Sequence, residues 1–124
     1  MRGNYLGWIL ALAAAGTPAS GVAMSAAQGR CHVANAERLP AETGGQTAVC
    51  AAFQNAIAAR APDVRYDALE LHVFSQAALG ATVLRDGRTI VSRRFSIMDK
   101  NLNPASIERF AQSFASEVAK THKA

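Results

Sequence analysis

The first 27 residues limit everything that follows them. Met1-Arg2 sets a positive charge ahead of an unbroken apolar or small run from Tyr5 to Ala15. Gly16-Thr17-Pro18 breaks that run, and Ser25-Ala26-Ala27 then supplies the small residues that precede a cleavage point. This is the order of a secretory signal peptide, with the cut expected after Ala27 and Ala19 or Ala23 as alternative sites. Residues 5–15 are about half the roughly 20 that a spanning helix needs, so the segment reads as a cleaved signal, with an uncleaved anchor as the alternative. Gln28-Gly29-Arg30 puts a bulky side chain directly before Cys31, where lipoprotein processing requires a small one. Removal of residues 1–27 leaves 97 of the 124 for the fold. A chain of that size builds one modest core and gains from any staple it can form. The expected location is the bacterial periplasm or the medium, with no stable membrane span after cleavage.

The two cysteines, Cys31 and Cys50, both lie in the part that remains. In an oxidising compartment such a pair reads as one disulfide. A redox pair is usually spaced Cys-x-x-Cys, and a structural zinc needs four ligands where Cys31, His32 and Cys50 offer three at most. A bond closing a loop of this size stabilises by roughly 3 kcal/mol in the chain-entropy model.

Residues 28–46 show no period of 2 or 3.6 and are punctuated by Pro40, Gly44 and Gly45. They are expected to be irregular and tied down by the disulfide. A single α+β domain follows over 47–119. Its first helix is expected over 47–61, on the stripe Val49, Phe53, Ile57 and Arg60, with Thr47 as N-cap or Thr43 as the alternative. Ala61-Pro62 ends it. Residues 68–74 alternate as a strand. Residues 78–85 and 88–97 read as a hairpin about Asp86-Gly87, because a type I′ turn needs positive φ at both centres. A two-residue turn pairs Arg85 with Arg88 and Val83 with Ile90, which leaves neither face cleanly apolar. A bulge or longer turn brings Val91 and Phe95 round to join Val83 and Ala81. The sequence leaves both registers open. The second helix is expected over 104–119, with Asn103 as N-cap, Pro104 at the first position and Ile107, Phe110, Phe114 and Val118 along one stripe. Residues 120–124 are a basic tail. The order helix, strand, strand, strand, helix points to a small two-layer α+β sandwich, with an antiparallel three-stranded sheet and both helices on one face.

The formal charge of +4 on 124 residues is mild and argues against a nucleic-acid arm. Interleaved aromatics for base stacking are also missing. Of the histidines, His32 adjoins the disulfide, His122 lies near the end, and His72 sits mid-strand as the single weak candidate for a ligand or a base. No Ser or Cys nucleophile has a partner at a defined spacing, and Asp63, Asp67, Glu70, Asp86 and Asp99 form no pair suited to acid–base work. No catalytic residue, metal site or cofactor is therefore expected. Arg85, Arg88 and Arg94 share one hairpin face if the two-residue turn is right. They then form an anion or partner patch, or a solvated charged edge.

These features lead to an exported, non-catalytic binding or accessory module of the bacterial cell envelope. Its partner would be an envelope protein or an anionic lipid headgroup, taken on a sheet face or edge. The alternative is a small secreted enzyme or metal-binding protein using His72 and loop residues.

Overall fold

The alternation read over 68–74 continues one residue further and starts a three-strand meander. The computed structural model describes residues 29–123. Strand β2 (Ala68–Ser75) sends Leu69, Leu71 and Val73 to one face and Glu70 and His72 to the other. It pairs antiparallel with β3 (Ala78–Arg85), whose Leu79, Ala81 and Val83 point the same way as the β2 leucines. Asp86 and Gly87, at φ of 55° and 77°, form the tight turn into β4 (Arg88–Ser96). The turn has two residues, since Arg85 opposes Arg88 and Leu84 opposes Thr89. The register then shifts at Ile90, and Val83 opposes Val91 while Leu79 opposes Phe95. A bulge is thus the device by which β4 reconciles a type I′ turn with a one-sided apolar face.

The sheet departs from expectation at its other edge. It has four strands, not three, and it is mixed, not antiparallel. Arg30–Ala34 forms β1, which pairs parallel with β2, so that Cys31 faces Leu69 and Val33 faces Leu71. Part of the segment expected to be irregular is therefore a strand, and the order opens with a strand, not a helix. The physical reason is length. Of five residues only Val33 is fully buried, too few to show a period. A parallel edge strand also pairs across a crossover instead of a local turn. The entry is tight: a Cβ on Gly29 would collide with the Asp67 carbonyl carbon. The next residue starts the ladder, with Arg30 N donating to Asp67 O at 3.0 Å.

The crossover runs through two short 3₁₀ turns, Ala36–Arg38 and Ala41–Thr43, into helix α1 (Gly45–Arg60). The N-cap is Gly44, in the left-handed region, not Thr47 or Thr43. Thr43 is instead buried, and its hydroxyl donates to Pro40 O at 2.7 Å. Val49, Cys50, Phe53, Ala56 and Ile57 form the buried side of α1. Arg60, expected on the apolar stripe, is exposed and reaches across to Gln112 and Ser116 of helix α2 (Pro104–Lys123). Helix α2 begins as expected: Ser106 N donates to Asn103 Oδ1 at 2.9 Å, and Asn103 N donates back to Ser106 Oγ at 3.0 Å. This reciprocal cap satisfies two donors at once. The helix continues to Lys123, taking up most of the expected tail.

Both helices lie on the face that carries Leu69, Leu71, Val73, Leu79, Ala81, Val83 and Val91. Phe53 and Phe114 meet across the helices at a centroid distance of 6.0 Å, and Phe95 stacks on Phe110 at 4.9 Å. Cys31 and Cys50 are bonded, pinning edge strand β1 to α1. The two-layer α+β arrangement follows, with one face of the sheet closed by helices and the other left open. The expected signal segment and its cleavage sites lie outside the described residues.

Candidate functional site

Strand pairing assembles the open face row by row. One row runs Ala34, His72, Gly80, Arg94 across the four strands, and the next runs His32, Glu70, Thr82, Ser92. Rows on one face lie about 7 Å apart along the strands, and adjacent strands about 4.8 Å apart. Together these side chains line a groove of about 540 Å³.

Three planar groups form one wall. Phe74 occupies a bulge in β2, between the Val73 and Ser75 pairings. Its ring leans over Gly80, where a Cβ would come within 2.8 Å of Phe74 Cε2. Gly80 is thus the small residue that lets an aromatic ring lie against the sheet. His72 stacks on Phe74 at 4.6 Å, and the Arg94 guanidinium lies 4.1 Å from the same ring centroid. Arg38 donates to the Phe74 carbonyl at 3.0 Å.

The floor is polar. Thr82 Oγ1 and Ser92 Oγ are hydrogen-bonded at 2.9 Å. Glu70 is exposed beside them, with His32 across from it on β1. Asn35, at φ 61°, turns its amide toward His72, and Nδ2 lies 3.2 Å from Nε2. His72 thus meets an amide rather than a carboxylate. Among the described residues no group of three or more His, Cys, Asp or Glu side chains is placed to hold a metal ion.

The bulge at Ile90 redistributes the arginines. Arg85 and Arg88 stay at the hairpin tip near Thr121, and Arg85 donates to Arg65 O at 3.3 Å. Beyond the bulge Arg94 moves to the open face, while Arg93 turns to the helices and pairs with Glu117 at 2.7 Å. The expected patch of Arg85, Arg88 and Arg94 on one hairpin face is therefore not formed, because one extra residue in β4 inverts the alternation between Arg88 and Arg94. The Arg93 hydrogen bond and charge hold the Glu117 carboxyl below its ordinary value. Arg94 has no carboxylate within ion-pair distance among the described residues.

Sequence reasoning passed over His32, Asn35, Phe74, Thr82 and Ser92 as site residues. One signal was available for His32: with Cys31 and Val33 both turned to the core, the residue between them must face the other way. Tyr66 stands apart from the groove. It is buried, its hydroxyl has no hydrogen-bond partner among the described residues, and burial pushes its phenol up to about 12. No protein-family model, curated protein or solved structure matches the chain.

Proposed function

We propose that this protein is an exported, non-catalytic binding module of the bacterial cell envelope that takes its partner on the open face of the sheet. The observation that carries the reading is the contrast between the two faces. One is closed by α1 and α2. The other presents a groove in which His32, Glu70, Thr82, Ser92 and an Arg94 without an acidic partner among the described residues converge. Groove volumes of this size suit small ligands or short segments of larger ones.

Export is supported by the signal-like order of residues 1–27 and by the Cys31–Cys50 disulfide. Among the described residues no helix is long and apolar enough to cross a membrane. A polyanionic lipid surface has less support than a discrete partner, because the arginines are divided between the hairpin tip and the open face. The reading in which His72 acts as base or metal ligand is weakened by Asn35, which engages Nε2.

Two measurements test the proposal. Intact mass of the protein from its native envelope, with thiols alkylated before and after reduction, should show loss of residues 1–27 and two thiols released only on reduction. A full-length mass with free thiols overturns export. A photo-crosslinking residue at Ser92 should then give envelope adducts that Arg94→Ala diminishes, while the same probe at Ala58, on the exposed back of α1, should give none. Equal labelling from both positions overturns the open face as the binding surface.

A further inference from the structure

We infer that the groove is a site for a hydroxylated carboxylic acid of sugar-acid type, with Arg94 holding the carboxylate and Glu70, Thr82 and Ser92 holding the hydroxyls. This deepens the binding-module reading and rests on it.

The argument starts at Arg94. Its guanidinium is spread on the Phe74 ring at 4.1 Å. No hydrogen bond or ion pair to a described residue consumes its N–H donors. Stacking limits the side chain's freedom, so less entropy is lost when a ligand binds. A planar guanidinium matches a carboxylate through two parallel hydrogen bonds.

The charge balance selects the kind of anion. Arg94 is the one cation facing the groove with no acidic partner among the described residues, and Glu70 lines the same groove. A single carboxylate is compensated by Arg94. A dianion such as phosphate would set a second negative charge beside Glu70, with Arg94 the one groove arginine not already paired to an acid among the described residues.

The second row selects the rest of the ligand. The Thr82–Ser92 hydroxyl pair can donate and accept, and Glu70 is an acceptor beside it. This strip lies one row, about 7 Å, from Arg94. A six-membered sugar acid carries its carboxylate at one end and its hydroxyls at the other, and so spans the two rows. The same chemistry occurs in a free sugar acid and in an acidic polysaccharide.

The test is an amide-resolved NMR titration of the purified, disulfide-intact protein with glucuronate, with a glucuronate-containing oligosaccharide, and with glucose and inorganic phosphate as controls. Saturable shifts at Gly80, Thr82, Ser92 and Arg94 are expected with the acids, and weaker effects with both controls. Arg94→Ala should weaken binding by about tenfold or more, the range for hydrogen bonds to a charged group. Arg94→Lys should recover part of the loss, since it keeps the charge without the fork. Thr82→Val removes one hydroxyl with little change in shape and should weaken binding by roughly threefold. It serves as the second probe should Arg94→Ala disturb Phe74. Binding of the monomer identifies a free acid as sufficient. Binding of the oligosaccharide alone places the acid in a polymer. The proposal is overturned if neither acid shifts the groove, if phosphate binds as well as glucuronate, or if both variants bind as the parent does. Should Ser92 crosslinking persist while no acid binds, the ligand class fails and the module stands. Loss of both removes both.

Discussion

Tyr66 gives the sharpest energetic prediction. The residue is 6% exposed, and its hydroxyl has no partner among the described residues. An unsatisfied buried hydroxyl costs about 1–3 kcal/mol of stability. Tyr66→Phe removes that group and keeps the ring, so the variant should be more stable at neutral pH by about 1 kcal/mol, after allowance for a small residual void. The same burial pushes the phenol from 10.0 to about 12. The folded state therefore prefers the neutral phenol, and the sign follows. The preference is fully present below 10.0 and is lost as pH rises from there through about 12. One unit above the unfolded value, the loss relative to neutral pH reaches about 1 kcal/mol. Tyr66→Phe lacks the titrating group, so the gap between variant and parent should widen from about 1 kcal/mol at pH 7 to about 2 kcal/mol at pH 11. Urea denaturation of both proteins at a series of pH values measures it. A variant that is less stable at pH 7 and shares the parent's alkaline slope would refute the reasoning, because it would mean that the hydroxyl is satisfied and the phenol titrates normally.

Three further outcomes follow from features already described. Replacing Cys31 and Cys50 together with serine should lower stability by about 3 kcal/mol, from the 19-residue separation; for a domain of this size that is a drop of more than ten degrees in melting temperature, readable by calorimetry. Asn103→Ala breaks the reciprocal cap with Ser106 and should cost about 1 kcal/mol, seen as a lower urea midpoint with an unchanged slope. Arg93→Ala should raise the titration of Glu117 toward its ordinary value, since the Arg93 hydrogen bond is the main cause of the lowering. The folded carboxyl is depressed, so the pair's contribution is present above the unfolded value and lost as pH falls; carboxyl-carbon NMR should show the shift, and an unmoved Glu117 would show the pair to be unimportant.

The parts of the fold visible in the sequence are those with a strong local cause. Asp86-Gly87 announces its turn, Asn103-Pro104 announces the start of α2, and the leucines of β2 alternate cleanly. The disulfide was legible from compartment and count. Strand β1 was not, because its partner lies beyond an intervening helix and Val33 alone is fully buried. The hairpin register was open between two solutions, and the choice falls to packing: only a bulge lets Val91 and Phe95 reach the helices. That one residue also decides which arginine joins the site. The groove itself was hidden because its members come from all four strands, and each is an ordinary polar residue on a strand until the register aligns it with the others.

The disulfide also bears on the order of events during folding. The three antiparallel strands are joined by two-residue turns and pair locally, whereas β1 must find β2 across the whole of α1, with Arg30 opposite Ala68. Local pairings form quickly and distant ones slowly. Without β1 the outer side of β2 would be bare, and a bare strand side is a place where a second chain can attach. The Cys31–Cys50 bond acts as a latch that holds β1 over that side of the sheet.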